Sequence, residues 1–274
     1  MSTLTAELKP TGQPNESQNR LGCPDPLEQL DDAGLEPPRW MIQVPQDDVR
    51  AYQRGLPLVT RVSKRCLDIV MAGTLLVLTL PLMFVTAIAI KLNSPGPVIF
   101  TQVRAGLNSR RRNFTSQNPV PICRRRTTNY GRPFVIYKLR TMHVNSDAEG
   151  PKQAQKDDQR VFGIGRLLRK MRIDELPQLV NVLRGEMSMV GPRPECIDYM
   201  EELSDKVPNY LDRLGLKPGL TGIAQIEAGY ANDLESYRRK IAFDLIYLKN
   251  CCVRNDIKIL VRTARVVLSG FGAL

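Results

Sequence analysis

A chain of 274 residues, 42% apolar and 24% charged, is long enough to bury a core as one large domain or two small ones, and its composition excludes a wholly disordered chain. Its net charge of +11, from 39 Lys and Arg against 28 Asp and Glu, points to anionic partners: nucleic acid, acidic lipid headgroups or phosphorylated substrates. Six cysteines without a C-x-x-C pair, and a single histidine at His143, argue against a Cys/His zinc site and against a disulfide framework, which suits a reducing, cytosol-facing setting.

Residues 1–58 are rich in Pro, Asn, Gln, Asp and Glu and lack an apolar period, so they read as a disordered polar tail with no secretory signal. Trp40, Met41, Ile42 and Val44 interrupt it and are expected to touch the body or a membrane only transiently. From Ile69 to Ile90 no residue is charged, a run of 22 positions and long enough to cross a bilayer. Lys64 and Arg65 precede it while Lys91 and a basic body follow, so the usual charge asymmetry of a spanning helix is missing. Pro81 near the midpoint removes a backbone hydrogen bond and bends a helix. Each half, about 15–18 Å long at 1.5 Å per residue, suits a helix over 62–92 that dips into one leaflet and returns. Carbonyls freed near Thr74–Val77 then need partners such as threonine hydroxyls. A kinked spanning helix and a buried soluble helix are the alternatives.

Beyond the turn cluster Asn93-Ser94-Pro95-Gly96-Pro97, strands are expected at Val98–Phe100 and Phe134–Tyr137. Between them the insertion 107–132 carries Arg110-Arg111-Arg112 and Arg124-Arg125-Arg126; we read it as a loop that touches anionic headgroups, since it lacks the aromatics that single-strand nucleic-acid readers stack on. Ile164, Leu167, Leu168 and Met171 recur at helical spacing with Arg166, Arg169, Lys170 and Arg172 on other faces, an amphipathic helix suited to a membrane interface or to the core. Pro177 starts a helix near Asp174-Glu175 that ends at Gly185. A later helix is expected to start at Asn232, with Leu234, Tyr237, Ile241, Leu245 and Leu248 on one face, and Asp256 opens the last, a second candidate for membrane contact.

Asp174 and Glu175, adjacent at a helix start, can work on a phosphate only if cations offset the repulsion. Arg104, Lys138, Arg140 and Arg193 are the candidates, because each sits in or beside a turn or strand end. Hard oxygen ligands of this kind suit magnesium. One carboxylate could attack phosphorus while the other binds metal or orients the first. Taken singly, an Asp-Glu pair is as well explained as a helix cap, and Gly191-Pro192-Arg193-Pro194 as a plain turn.

The ordered set is more specific. Lys64-Arg65 with Asp68, Ser94-Pro95-Gly96-Pro97-Val98-Ile99-Phe100, Gln102, Arg104, Gly106 and Tyr137-Lys138-Leu139-Arg140-Thr141-Met142 are followed by Asp174-Glu175-Leu176-Pro177-Gln178-Leu179, Val190-Gly191-Pro192-Arg193-Pro194, Pro218-Gly219-Leu220-Thr221-Gly222 and Ala224-Gln225. Over residues 62–270 this chain resembles the bacterial sugar transferase family, the monotopic phosphoglycosyl transferases that initiate lipid-linked glycan assembly. The resemblance implies transfer of a phospho-sugar from a nucleotide diphosphate sugar, commonly a UDP-sugar, to polyprenyl (undecaprenyl) phosphate, with release of a nucleoside monophosphate, as the first membrane step of exopolysaccharide or related glycan synthesis. It implies Asp174 as the nucleophile carrying a covalent phospho-sugar and Glu175 as its partner, with Mg2+ near both carboxylates. It groups Arg104, Lys138, Arg140, Arg193 and Gln225 as phosphate- or substrate-binding residues.

The expected fold is a mostly helical α+β domain with a small sheet, over 93–270, on a proline-bent re-entrant helix with interfacial amphipathic helices, at the cytosolic face of the bacterial inner membrane. Expected partners are the two substrates and inner-leaflet lipids, with a second copy and downstream glycosyltransferases as further candidates and no nucleic acid. The chain departs from the family at Leu80, where many members have Ser before the helix-breaking proline, and at Ile223–Gly229, where many read Trp-Ala-Gln-Val and then Asn-Gly-Arg. Without the spanning helices of larger relatives it is expected to resemble the small, catalytic-domain-only form. A basic non-catalytic protein binding membranes or nucleic acid, and an inactive homologue, are the competing readings.

Overall fold

The computed structural model describes residues 36–44, 56–107, 131–144, 158–207, 210–228 and 233–269. Most of the polar tail and of the basic insertion lies outside these residues. The first helix, α1 (Leu58–Asn93), is 36 residues long, covers the expected 62–92 segment and extends it at both ends. It stays helical through Pro81. The Thr79 hydroxyl donates to the Leu75 carbonyl (2.7 Å), and Thr86 does the same to Leu82 (2.8 Å), so threonines bond to helix carbonyls on both sides of the proline, but not to Val77, whose carbonyl Pro81 deprives of its N–H.

Burial along α1 is concentrated at its two ends. Lys64, Asp68 and Ala72 are buried near the start and Thr86 and Ile90 near the finish, while Val77, Leu78, Leu80, Phe84 and Val85 between them are exposed. Lys64 forms a buried ion pair with Asp256 and donates to Tyr247 Oη (2.8 Å). Arg65 donates to the Val182 and Leu183 carbonyls (2.6 and 2.7 Å), in the last turn of a helix, where intrahelical N–H partners run out; Val182 O also accepts from the Gly185 N–H (2.9 Å). At the other end, Arg140 donates to Ser94 O (2.6 Å) and Pro95 O (2.7 Å). Both ends of the apolar helix are therefore tied to one body.

The body holds two small sheets. Strand β1 (Ile99–Arg104) pairs antiparallel with β2 (Phe134–Leu139), with Phe100 opposite Lys138 and Arg104 opposite Phe134. These are the two strands expected from sequence, each longer at its C-terminal end. The second sheet was not legible: β3 (Ser188–Val190) and β4 (Gly219–Thr221) run parallel, and three residues carry no readable period.

Between the sheets run α2 (Gly163–Lys170), a 3-10 turn at Ile173–Glu175, and α3 (Gln178–Arg184). Gly185 ends α3 as expected, with φ 79°, a left-handed conformation in which a side chain would be strained. Asn181, fully buried on α3, reads the edge of β2: its amide donates to Val135 O (2.7 Å) and accepts from the Tyr137 N–H (3.2 Å). After β3 come α4 (Ile197–Lys206) and a 3-10 stretch (Tyr210–Gly215); after β4 come α5 (Ile223–Glu227), α6 (Leu234–Lys249) and α7 (Val253–Ser269). The main core joins Leu179, Val182, Met187, Met200, Ile223, Ile246 and Ile259. A smaller one places Ile90 of α1 with Leu139, Phe162 and Leu168.

Three expectations need correction. The N-cap of α6 is Asp233, whose carboxylate accepts from the Ser236 N–H, and not Asn232. The helix is buried all round from Ile241 to Leu248, whereas Leu234 is exposed, so the expected single apolar face is incomplete. Residues 36–44 make more than a transient contact. Met41 is 6% exposed, Trp40 donates to Glu227 (3.0 Å) beneath the Arg262 guanidinium, and Asn255 both accepts from the Ile42 N–H (2.9 Å) and donates to its carbonyl (2.8 Å). Asn250 receives the Val44 N–H (3.0 Å).

Candidate active site

The Asp174–Glu175 pair is shaped by a sharp change of direction after α2. Arg172 adopts φ 55°, the left-handed region that a residue with a Cβ seldom enters, and the chain then tightens into the 3-10 turn. Pro177, with its fixed φ, leads into α3. Both acids are about 8% exposed. The expected long helix start is thus a single tight turn, and side chains rather than a helix end supply the positive charge.

Three cations converge on Glu175. Arg193 donates to its Oε1 at 2.7 Å, Lys138 Nζ reaches the same oxygen at 3.2 Å, and Arg172 stands 3.9 Å from Oε2. Lys138 comes from the end of β2 and Arg193 from the turn between β3 and α4. That turn is rigid. Gly191 N–H donates to Thr221 O (2.9 Å), Gly219 N–H donates to Pro192 O (2.8 Å), and a Cβ on Gly219 would stand 2.1 Å from Gly191 N, so only glycine permits this backbone approach. Arg213, buried beneath, donates to the Arg193 carbonyl (2.9 Å) and pairs with Asp244 (2.8 Å), while Glu195 pairs with Lys240 (2.7 Å).

Asp174 differs from its neighbour. Among the described residues no hydrogen bond or ion pair engages its carboxylate. Burial pushes its pKa up, Lys138 opposes that, and the Glu175 charge adds to it. Burial also works against the Glu175 charge, but Arg193 and Lys138 outweigh it and hold that carboxylate well below the ordinary range. Arg193 is raised in turn, chiefly by Glu175, whereas Lys138 is lowered by burial against the pull of Glu175. The arrangement favours the ionised form of Glu175 and leaves the neighbouring Asp174 carboxylate, raised in pKa, without a hydrogen bond or ion pair among the described residues.

Arg104 lies within electrostatic range of Glu175, Lys138 and Arg193, and burial is the main cause of its lowered pKa. Its Nη1 donates to Pro194 O (3.3 Å), and its Nε is buried without an acceptor. Positive groups therefore outnumber the two carboxylates, which leaves room for phosphate charge. Two adjacent carboxylates, with no group of three or more candidate ligands among the described residues, are too few for an all-protein cage. They fit magnesium, which takes one or two carboxylates and completes its shell with water and substrate phosphate oxygens.

Comparison with known proteins agrees with this geometry. The profile of the Bacterial sugar transferase family matches residues 59–115 and 111–270. The chain belongs to that family. A UDP-glucose:undecaprenyl-phosphate glucose-1-phosphate transferase of Caulobacter vibrioides is 42% identical over 208 residues, covering 75% of this chain and 70% of the relative. A UDP-N-acetylgalactosamine-undecaprenyl-phosphate N-acetylgalactosaminephosphotransferase of Aeromonas hydrophila is 41% identical over 210 residues, 77% of this chain and 44% of the relative. An Escherichia coli K12 protein with the same glucose-1-phosphate transferase name is 38% identical over 225 residues, 81% of this chain and 43% of the relative. The alignments thus span less than half the length of two of these relatives.

In this bacterial sugar transferase the structure brings Asp174, Glu175, Lys138, Arg193 and Arg104 together. Arg140 stands elsewhere: its guanidinium holds Ser94 and Pro95 at the exit of α1. Gln225 bonds weakly to Leu220 O (3.5 Å), its Oε1 is buried without a donor, and no described hydrogen bond joins it to the acids. Sequence reasoning missed Arg172 and Arg169, which both act electrostatically on the pair, because they were read only as the polar side of an amphipathic helix suited to a membrane interface or to the core. Arg172, at the left-handed turn, stands 3.9 Å from Glu175, while Arg169, still within α2, donates to Thr141 Oγ1 (2.9 Å). It also missed the support from Arg213, Asp244 and Lys240, for which the one available signal was Glu195 directly after Gly-Pro-Arg-Pro.

Proposed function

We propose that this protein transfers a phospho-sugar from a UDP-sugar to polyprenyl phosphate at a membrane surface, the first membrane step of exopolysaccharide or a related glycan. The observation that carries this reading is the unequal pair: Glu175 is locked by Arg193 and Lys138, while the adjacent Asp174 carboxylate has no described partner. A carboxylate poised this way among cations is suited to attack phosphorus. An Asp174 oxygen bonds to the sugar-bearing phosphorus, the bond from that phosphorus to the bridging diphosphate oxygen breaks, and the nucleoside monophosphate leaves with that oxygen. A phosphate oxygen of the polyprenyl phosphate then attacks the same phosphorus and expels the Asp174 carboxylate. Arg193, Lys138 and Arg104 hold the phosphate oxygens as charge shifts among them. Asp174 and Glu175 would hold magnesium, which supplies charge neutralisation at the diphosphate.

The membrane anchor follows from α1. Its exposed middle, Val77 to Val85, is apolar, and its two ends are both tied to the body by Lys64, Arg65 and Arg140. A straight crossing would separate those ends by a bilayer core of about 30 Å. A dip into one leaflet, bent at Pro81, keeps both on the cytosolic side of the inner membrane. Leu167, Met171, Ile257 and Val261 are exposed on α2, its C-terminal flank and α7, ready to lie along the interface. In sealed right-side-out vesicles, an impermeant thiol reagent should spare both the native Cys66 and a cysteine placed at Asn93; labelling of either one alone would establish a crossing.

The reaction is tested by nucleoside monophosphate release from nanodisc-held protein given magnesium, polyprenyl phosphate and a panel of UDP-sugars. Release with a particular donor, absent in Asp174→Asn, is expected. Equal release by Asp174→Asn would overturn the nucleophile assignment, and silence across the panel would favour a non-catalytic partner.

A further inference from the structure

At the start of α1, away from the acid pair, lies a cavity of about 160 Å³ that the transfer chemistry does not use. One face of α1 supplies Arg61, Lys64, Arg65 and Asp68, spaced so that they stack on one side of the helix. Ser188 and Lys217 close the opposite wall.

The partners of these groups can be counted. Lys64 is taken by Asp256 and Tyr247, and Arg65 by the α3 carbonyls. Asp68, the acid in the wall, accepts from the Ser188 hydroxyl (2.9 Å) and the Met189 N–H (2.8 Å). Arg61 and Lys217 are left over. No side-chain partner for either occurs among the described residues, and Arg61 Nε is shut off from solvent with no acceptor. Burial lowers the Lys217 pKa, the charges of Arg65 and Lys64 lower it further, and Asp68 opposes only in part. The cavity therefore holds more positive charge than its own acids answer, and a donor that needs an acceptor.

Its surroundings identify the acceptor's source. Leu58, Val59, Val62, Ile69 and Val70, on the same turns of α1, are exposed to solvent. Apolar side chains flanking a basic cavity place it where a helix enters a bilayer, at the depth of the lipid phosphates. We propose that this cavity seats the phosphate of an anionic glycerophospholipid, held by Arg61 and Lys217, and so fixes the depth and tilt at which α1 enters the membrane. The proposal rests on α1 meeting a bilayer and is independent of the transfer reaction.

The test uses the full chain in phosphatidylcholine nanodiscs and detergent micelles, with phosphatidylglycerol as the probe and retained lipid read by native mass spectrometry. Wild type should retain phosphatidylglycerol at least fivefold better than Arg61→Gln/Lys217→Gln. The charge-keeping Arg61→Lys/Lys217→Arg protein should retain it like wild type, which separates loss of charge from loss of fold. Asp174→Asn should also bind like wild type while failing to transfer, so the two readings fail separately. Equal retention by the Gln variant, equal retention of phosphatidylcholine, or displacement by millimolar inorganic phosphate would each overturn the proposal.

Discussion

Two clusters of acids and guanidinium groups lie back to back across the Gly191–Pro194 turn, and they are balanced differently. Behind the turn, Arg213 meets Asp244 and Glu195, Lys240 meets Glu195, and each of the two acids has a cation. In front of it, Arg193 and Lys138 both bond to Glu175, and among the described residues no hydrogen bond or ion pair reaches Asp174, on which Lys138 acts only through space. The rear cluster pairs each acid with a cation, and it holds the turn through the Arg213 bond to the Arg193 carbonyl. The front cluster is open by one carboxylate. The proposed chemistry rests on that imbalance, and its support on the balance behind it.

The sharpest way to break the comparison is to remove the odd carboxylate. Asp174→Asn should cut transfer by about 10⁴-fold or more, a loss expected for a nucleophile, with no fall in melting temperature. In the rear cluster the same kind of change should act on stability. Asp244→Ala removes the shorter ion pair of the buried Arg213, leaving it only the longer contact to Glu195, and should cost about 3–5 kcal/mol of stability in thermal or denaturant unfolding. Arg193→Lys keeps the charge but loses the guanidinium geometry toward Glu175 and incoming phosphate. It should lower kcat by roughly 10²-fold, close to the loss of one charge-stabilising donor. A full loss of folding in that variant would show that the front cluster is structural too.

The smallest effect is the most diagnostic. Since burial and the Glu175 charge raise the Asp174 pKa, the rate should climb with pH as Asp174 ionises, at a pH above that of a free aspartate, and then level off. Glu175→Gln removes the neighbouring negative charge and leaves Lys138 and Arg193 less neutralised. Asp174 then ionises more easily, so the acid limb of the pH–rate profile should move to lower pH even as the plateau falls. A limb that stays in place would mean that Asp174 is not the titrating group.

Much of the front cluster was legible because its parts fall at punctuated positions. Pro177 and Gly185 bracket α3, and the glycine and prolines around Arg193 mark a turn that exposes a side chain. The rear cluster was invisible for the opposite reason: Arg213, Lys240 and Asp244 sit in helical segments whose charges look solvent-facing until tertiary packing buries them. Arg140 shows the same limit. Its place two residues after Lys138, on what would be the same face of a continuing strand, made it look like a second phosphate ligand, but β2 ends at Leu139 and the Arg140 guanidinium serves the exit of α1. Residues 36–44 were misjudged because a polar composition hides four apolar anchors whose receptors lie more than 180 residues away.

Those anchors redraw a border. The family profile begins at residue 59, yet Asn250 and Asn255, both buried, point amide groups at the backbone of Ile42 and Val44. A protein trimmed to the homology boundary would open this groove to water and lose each of these hydrogen bonds, at about 0.5–1.5 kcal/mol apiece, together with the burial of Met41. The unit that evolution copies among relatives and the unit that folds as a whole do not share an N-terminus in this chain.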